Sequence, residues 1–381
     1  MAVRATGGAA VRFGILMERG KVRERPFAAL TRFLQTLTEV AAGERVTVFA
    51  FEPGDVDVAR QRVKATRWLA SQGRWATREV GLPAVVWNRY YRKDEEALIR
   101  AFMRLGIPLV NEGALSKWDA YEWLTQDSAL LPHLPETRLL EGARTVKEML
   151  GRYPVVFLKP SVGSIGRGIV RVHVDPGGLM CLAYVPAGSK ELQEIYATPD
   201  QLERWVAQRN PPGQYIVQQG LDLAVYEGRP ADVRVLAQKD GRGIWRVTGM
   251  GCRVAARGRF TANLHTGGQG VPVEQLAEAL FAGQANRQAR LKTDLSALSL
   301  TTAIQVEAAI GSMGELGLDF GVDTAGKIWC IEQNAQPGRG IFEHLGRKDL
   351  WETAFRRPVQ YARHLATTMS VRTAGHRRHN G

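Results

Sequence analysis

Cysteine is scarce in this sequence, and long apolar segments are missing. The 381 residues include three cysteines, Cys181, Cys252 and Cys330, which are odd in number and far apart. This set predicts neither a disulfide framework nor a CxxC metal site, and it favours a reducing cytoplasm. The apolar run FGILM near the N-terminus is interrupted by Glu18 and Arg19. We therefore expect neither a signal peptide nor a membrane span.

The usual signatures of P-loop and Rossmann nucleotide sites are also missing. The glycine-rich segment GSIGRG at 163–168 fits neither the Walker pattern nor GxGxxG, and an alternating strand pattern follows it where those folds place a helix. We find no Ser-His-Asp or Cys-His arrangement. Nothing in the sequence therefore points to a protein nucleophile.

Acidic residues are outnumbered by basic ones. There are 51 Lys and Arg against 38 Asp and Glu, for a net charge of +13. Such an excess favours a polyanionic partner, whether a nucleotide, an anionic substrate, nucleic acid or a charged polymer surface. The basic residues are spread along the chain without aromatic interleaving, so nucleic acid is not favoured. The one dense basic run, at 372–378, predicts a flexible basic tail over 367–381.

The N-terminal part alternates strand and helix patterns. Strands are predicted at 11–17, 46–51, 85–87 and 109–110, and helices at 27–40 and 94–105. This alternation predicts an α/β domain over 1–112 with a mainly parallel sheet. Arg89 and Arg92 follow one of these strands. They either hold an acidic substrate or are ordinary exposed arginines on a loop.

The segment GLDFGVDTAGKIWCIEQN at 317–334 predicts a β-hairpin that carries ligands for a hard metal ion. Glu332 and Asn334, two residues apart, point to one face of a strand, and Asp319 can face them from the other strand. Two carboxylates and a carboxamide suit Mg²⁺. The alternative is that Asp319 only begins a strand and that the other two are solvated. A charge directly after the apolar IWCI favours a partnered carboxylate.

A second segment, VVFLKPSVGSIGRGIVRVHV at 155–174, predicts strand, glycine-rich loop and strand. Backbone amides of such a loop can close over a triphosphate, while Lys159 on the first strand supplies a positive charge. The alternative is an ordinary glycine-rich hairpin turn. The loop residues concerned are Gly163, Ser164, Gly166 and Gly168.

A helix is predicted to begin at Ser116 and run towards Gln126, since Ser116 and Asp119 resemble a capping box. This places Lys117 in the first turn, where a lysine opposes the helix dipole. It is held by an external anion or is simply solvated. Further on, an apolar strand at 215–218 ends where backbone groups could pair with an adenine edge.

The order of these features resembles the ATP-grasp superfamily. The features are Lys117 on a helix, Lys159 before a glycine loop, YIVQQG, DVR, Arg253, Asn263 with GG, then Asp319 and EQN. Within that superfamily the sequence more closely resembles the YheC/YheD-type endospore coat-associated proteins, on VVWNRYYR, LVNEGALSKWDAYEWL, VVFLKPSVGSIGRGI and ELGLDFGVDTAGKIWCIEQNAQPGR. That family often reads EVNSKP where this chain has EQNAQP, which retains the ligands and loses a lysine.

The resemblance implies an ATP-grasp fold, α/β at first and α+β in the C-terminal part. It comprises an N-terminal α/β pre-ATP-grasp domain (1–112), a linker helix with a lid subdomain (113–218) and a C-terminal metal-binding subdomain (219–366). ATP would lie between the last two. The implied nucleotide contacts are Lys117, Lys159, Gly163, Ser164, Gly166, Gly168, Gln218, Gln219 and Leu221. The implied catalytic residues are Lys159, Arg253 and Asn263, and the implied ligands of one or two Mg²⁺ ions are Asp319, Glu332 and Asn334.

The activity that the resemblance implies is ATP-dependent joining of a carboxylate to an amine through an acyl phosphate. Small-molecule or peptide acids and amines would be the substrates. The protein would be cytoplasmic and associated with the endospore coat. The alternative is an ATP-binding structural or scaffold protein of the spore coat with little or no catalysis.

Overall fold

The computed structural model describes residues 10–20, 26–27, 30–90, 95–163, 168–185, 192–209, 214–259, 261–262, 264 and 267–378, with the backbone alone at 199, 209 and 369–378. The described residues form three six-stranded sheets that follow one another along the chain. Parallel pairing between strands occurs in the first sheet, and the other two sheets are antiparallel. The expected progression from α/β to α+β is confirmed.

The first sheet has a parallel centre and an antiparallel edge. Its strands are β1 (Val11–Leu16), β2 (Val46–Phe51), β3 (Val56–Asp57), β4 (Arg62–Leu69), β5 (Arg74–Gly81) and β6 (Val85–Asn88). β1 pairs in parallel with β2 and β6, whereas β3, β4 and β5 form an antiparallel ribbon. The prediction of a mainly parallel sheet is therefore wrong for 56–81. The predicted strand at 109–110 is a single parallel bridge between Leu109 and Val86.

Two helices cover the two faces of this sheet, because successive strand side chains alternate. Helix α1 (Thr31–Ala42) packs on Phe13 and Ile15. Helix α2 (Glu96–Arg104) packs on the neighbouring Leu16 and on Phe51. Both begin a few residues later than predicted.

The second sheet follows helix α3 (Lys117–Leu124). Its strands are β7 (Thr137–Leu139), β8 (Val155–Pro160), β9 (Val170–Val174), β10 (Met180–Tyr184), β11 (Gln193–Ala197) and β12 (Tyr215–Gln219), in the order β11-β10-β9-β8-β12-β7. Leu158 and Val172 on one face pack on α4 (Ala143–Leu150) and α5 (Pro199–Arg209). Lys159 lies on the opposite face. The prediction of strand, glycine loop and strand is confirmed for the described residues.

The third sheet has the order β16-β15-β14-β17-β18, with β13 beside β14. Its elements are β13 (Val225–Tyr226), β14 (Arg229–Lys239), β15 (Trp245–Val254), β16 (Gln269–Val271), α6 (Val273–Leu280), α7 (Ala285–Ile310), β17 (Glu315–Val322), β18 (Ile328–Asn334) and α8 (Gly340–His344). Helix α7 covers one face through Leu295 and Val306, which pack among Leu318 and Phe320. The other face carries polar side chains, and it is covered in part by α8, whose Ile341 and Phe342 pack with Leu236.

The chain ends in a long helix, α9 (Lys348–Arg378). Phe355 and Val359 belong to the core of the first sheet, whereas Ala354 packs beside Leu236 of the third. Helix α9 continues to Arg378, which corrects the prediction of a flexible tail from 367. The segment contains no proline, and Gly375 does not end the helix. Residues 379–381 lie outside the described residues.

Across the described ranges, no helix has both the length and the hydropathy needed to cross a membrane.

Candidate active site

The hairpin of β17 and β18 brings the three expected metal ligands to one face. Asp319 lies directly across from Glu332, and Gly317 lies across from Asn334. Because the strand side chains alternate, Asp319, Glu332 and Asn334 share the face that α7 does not cover. A β-bulge follows Asp319.

Asp323 belongs to the hairpin turn and not to the ligand set. Its Oδ1 accepts the backbone N–H groups of Ala325 (3.0 Å) and Lys327 (2.8 Å), and its Oδ2 accepts the indole N–H of Trp329 (2.9 Å). These contacts fix the turn that sets the strand register.

Two arginines and two aspartates alternate across three neighbouring strands. Arg234 on β14 donates to both carboxylate oxygens of Asp319, at 2.9 Å from Nη2 to Oδ2. Arg253 on β15 donates to Asp232 at 2.6 and 2.7 Å, and its Nη2 lies 3.0 Å from Oδ2 of Asp319. Arg234 faces Asp319, and Asp232 faces Arg253, in the strand register. The four charges therefore form one connected row.

This row separates the pKa values of the two aspartates. Burial raises the pKa of Asp319, but the charges of Arg234 and Arg253 and their hydrogen bonds outweigh it and lower that pKa. For Asp232, burial prevails over its contacts with Arg253, and the charge of Asp319 adds to it, so that its pKa is raised. Asp319 is thus the carboxylate that stays ionised, as a metal ligand must.

Lys117 links the glycine loop to the hairpin. The hydroxyl of Ser116 caps α3 by accepting the N–H of Asp119 at 3.1 Å. From the first turn, Lys117 Nζ donates to the carbonyl of Gly163 at 2.8 Å and lies 3.1 Å from Oε1 of Glu332. The anion that holds this lysine is therefore a carboxylate of the chain itself.

Lys159 lies on the face of the second sheet that carries Gln218. Its Nζ donates to Oε1 of Gln218 at 2.5 Å, and the amide of Gln218 donates to the hydroxyl of Thr137 at 3.0 Å. Burial lowers the pKa of Lys159 to about 8, with Glu332 opposing this shift and Lys117 adding to it. Within the described residues, the side-chain hydrogen bond of Lys159 Nζ is thus to the neutral amide of Gln218.

The segment after β12 is close-packed on β8. Gly220 N–H donates to the carbonyl of Val155 at 2.8 Å, and a Cβ on Gly220 would lie 2.5 Å from that oxygen. Gln219 N–H donates to the carbonyl of Glu136 at 2.8 Å. The N–H of Gln219 is thus used within the protein.

The structure describes some of the remaining predicted residues and leaves others outside its ranges. Gly163 and Gly168 have φ of +136° and +73°, which favours glycine at both positions. Arg89 is buried, and its Nη1 donates to Glu315 at 2.9 Å, so the expectation of an exposed arginine on a loop is wrong. It is therefore no exposed substrate contact. Residues outside the described ranges are Arg92, Ser164, Gly166 and Asn263.

The donor set fits a hard divalent cation. Asp319 and Glu332 face each other as carboxylates, and their mutual repulsion is offset by contacts with Arg234, Arg253 and Lys117. Oδ1 of Asn334 accepts the N–H of Gln336 at 2.9 Å and thereby is fixed in orientation. Within the described ranges, no three His, Cys, Asp or Glu side chains form a cluster. The set suits Mg²⁺, which takes few protein oxygens and completes its shell with water and phosphate.

We expect Lys117→Met to change two affinities in opposite directions. Loss of the ammonium frees Glu332, so nucleotide-free protein should bind Mn²⁺ about tenfold more tightly, whereas Mg²⁺–ATP should bind about tenfold more weakly. Isothermal calorimetry measures both. Lys117→Arg, which keeps the charge, is the matched control. A parallel fall of both affinities would assign Lys117 a purely structural role.

Sequence reasoning missed Arg234 and Asp232 as site residues. The signal was present in the motif DVR, because residues at i and i+2 share a face of a strand. What was lacking was the knowledge that this face lies beside Asp319.

The chain is similar in sequence and in fold to several known proteins. It is 31% identical over 354 residues to endospore coat-associated protein YheD of Bacillus subtilis (strain 168), covering 90% of this chain and 76% of that protein. D-alanyl-alanine synthetase A from Vibrio cholerae has a similar fold, with a TM-score of 0.55 at 14% identity, covering 95% of this chain and 99% of that one. The ATP-grasp ligase PsnB, solved with a minimal precursor, gives 0.52 at 13%, covering 90% and 98%. Residues 106–365 match the family model described as YheC/D-like ATP-grasp. The chain belongs to this family.

Proposed function

We propose that the chain is an ATP-dependent ligase that joins a carboxylate to an amine through an acyl phosphate. One observation carries this proposal: Asp319 and Glu332 face each other beside Lys117, Arg234 and Arg253. Carboxylates for a metal ion and cations for phosphate groups thus share one site. Phosphoryl transfer depends chiefly on such positioning and charge stabilisation.

The position of each residue in the site suggests which part of Mg²⁺–ATP it would bind. Lys117, Lys159 and the backbone of the glycine loop would bind the phosphate oxygens, and the backbone near Leu221 would contact the adenine. Asp319, Glu332 and Asn334 would hold Mg²⁺, which neutralises charge on the phosphate groups when bound.

Arg253 would stabilise charge on the transferring phosphoryl group, together with Asn263. Asp232 holds Arg253 through two hydrogen bonds, so the guanidinium is oriented before substrate arrives. Arg234 keeps Asp319 ionised. These contacts support a site organised in advance of binding.

The reaction needs no protein nucleophile. An oxygen of the substrate carboxylate attacks the γ-phosphorus, and the bond from that phosphorus to the bridging oxygen breaks, releasing ADP. The amine nitrogen then attacks the acyl carbon, phosphate leaves, and the nitrogen loses a proton. The products are an amide, ADP and phosphate.

The relatives guide the choice of substrates. YheD is named as coat-associated, and PsnB was solved with a precursor. We therefore extend to this chain a role at the spore coat or envelope, with a small-molecule or peptide acid and amine as substrates.

The test is ADP formation by the purified protein with Mg²⁺, pooled amino acids and spore-envelope peptides. We expect ADP release to require both an acid and an amine, and Glu332→Ala to abolish it. Tight Mg²⁺–ATP binding without turnover against broad acid and amine panels would instead support a structural protein of the coat. Wild-type turnover in Glu332→Ala would contradict the proposed metal site.

A further inference from the structure

Asn111 is a fully buried side chain that uses its whole hydrogen-bonding capacity on the ligand hairpin. Its Oδ1 accepts the backbone N–H groups of Gly314 (2.8 Å) and Glu315 (3.2 Å). Its Nδ2 donates to the carbonyls of Glu315 (3.2 Å) and Ala335 (2.9 Å). We call Gly314, Glu315 and Ala335 the hairpin base. Four hydrogen bonds from Asn111 thus join the start of β17 to the residue that follows β18.

The hairpin base is directly connected to the metal ligands. Ala335 follows Asn334, and Glu315 begins the strand that carries Asp319 four residues later, about 13 Å away. A Cβ on Gly317 would lie 2.7 Å from Cβ of Pro337, so the chain after Asn334 packs tightly on β17. A shift at the base is therefore transmitted to the ligands.

The carboxylate of Glu315 ties the base to two other parts of the chain. Arg89, at the end of β6, donates to Oε1 at 2.9 Å, and Arg339, after β18, donates to Oε2 at 2.6 Å. Gln238 of β14 donates to Oε2 at 2.9 Å. All four side chains are buried. The first sheet is thereby bonded to the hairpin that carries the ligands.

This cluster is poorly explained as a source of stability. Two arginines share one carboxylate, and among the described residues Nε of Arg89 has no hydrogen-bond partner. The faces of the Phe33 and Phe355 rings accommodate the extra charge, 4.6 Å from Arg89 and 4.8 Å from Arg339. Buried ion pairs are often no more stabilising than apolar residues of similar volume. Their hydrogen bonds, however, fix one geometry.

We infer that Asn111 and Arg339 are positioning residues, which set the spacing of Asp319 and Asn334 and thus make metal binding depend on the N-terminal domain. This inference rests on the proposed metal site. Neither residue belongs to the proposed metal ligands or nucleotide contacts. Each acts through the hairpin base, Arg339 also by donating to the carbonyls of Pro337 (3.3 Å) and Ala354 (3.1 Å).

Asn111→Asp tests the inference with almost no change of shape. It replaces two donated bonds by repulsion between oxygens, and Arg339→Lys is a milder second variant that keeps the charge. Mn²⁺ binding is titrated by electron paramagnetic resonance in the presence of a saturating non-hydrolysable ATP analogue. We expect the Mn²⁺ Kd to rise about tenfold or more in both variants. Analogue binding in excess EDTA should change less than twofold.

Leu37→Ala is the control for a general loss of stability, since Leu37 is buried in the core of the first sheet, away from the hairpin. Leu37→Ala should lower Tm at least as much as the two test variants do. Its Mn²⁺ Kd should stay within twofold of the wild-type value. Wild-type Mn²⁺ affinity in both variants, with a lowered Tm, would overturn the inference alone. Failure of the wild-type protein to bind Mn²⁺ with the analogue would overturn the metal site and the inference together.

Discussion

Asp319→Asn should reduce turnover about a thousandfold and raise the Mg²⁺ concentration needed for nucleotide binding. The change removes a carboxylate that is ionised at neutral pH, because Arg234 and Arg253 lower its pKa. It also leaves Arg234 without its carboxylate partner. Turnover at saturating ATP and the Mg²⁺ midpoint of nucleotide binding measure the two effects.

Asp232→Asn is the matched control for this prediction. Asp232 also binds Arg253, and it lies on β14, which pairs with β17 but is not one of the two strands of the ligand hairpin. We expect its turnover to fall because Arg253 loses a partner, while the Mg²⁺ midpoint stays within about threefold. Equal shifts of the midpoint in the two variants would show that Asp319 acts through Arg253 and not as a ligand.

Lys159→Met should weaken Mg²⁺–ATP binding about a hundredfold, since the ammonium proposed to contact phosphate oxygens is replaced by an apolar side chain. The wild-type affinity should also depend on pH. Burial lowers the pKa of Lys159 to about 8, so the free protein loses this charge as pH rises through 8. Affinity should be full below pH 7 and fall by up to about tenfold per pH unit above 8.

Lys159→Arg provides the control for the pH dependence. An arginine remains charged throughout this range, so its profile should be flat between pH 7 and 9.5. Fluorescence titration with a labelled ATP analogue gives both profiles. Parallel declines in wild type and Lys159→Arg would assign the pH dependence to another group.

The ligand hairpin could be predicted from sequence because its information is local. Asp and Gly at 323–326 predict a turn, and alternation then places Glu332 and Asn334 on one face. The arginine contacts are different in kind. Arg234 and Asp319 are 85 residues apart, and Arg89 and Glu315 are 226 apart. Strand patterns give the face of each residue but not which strands become neighbours.

The sequence analysis did not predict strand β5 or the helical end of α9, and each has a physical reason. Strand β5 is largely exposed at the sheet edge, so its side chains show no clear apolar alternation. The basic end of α9 has the composition of a solvated tail, but its backbone continues a helix that packs on the first sheet. In both cases, tertiary context decides what local composition leaves open.

The position of α9 has a consequence for the order in which the chain folds during synthesis. The core around β1 and α1 includes Phe355, Val359 and Ala362, which the ribosome adds after the second and third sheets. Domains usually fold in the order of their synthesis. Here the first sheet leaves the ribosome early, with one apolar face only partly covered. That face stays exposed until the last helix has been synthesised. Chaperone binding to nascent chains of this protein should therefore persist until α9 has emerged.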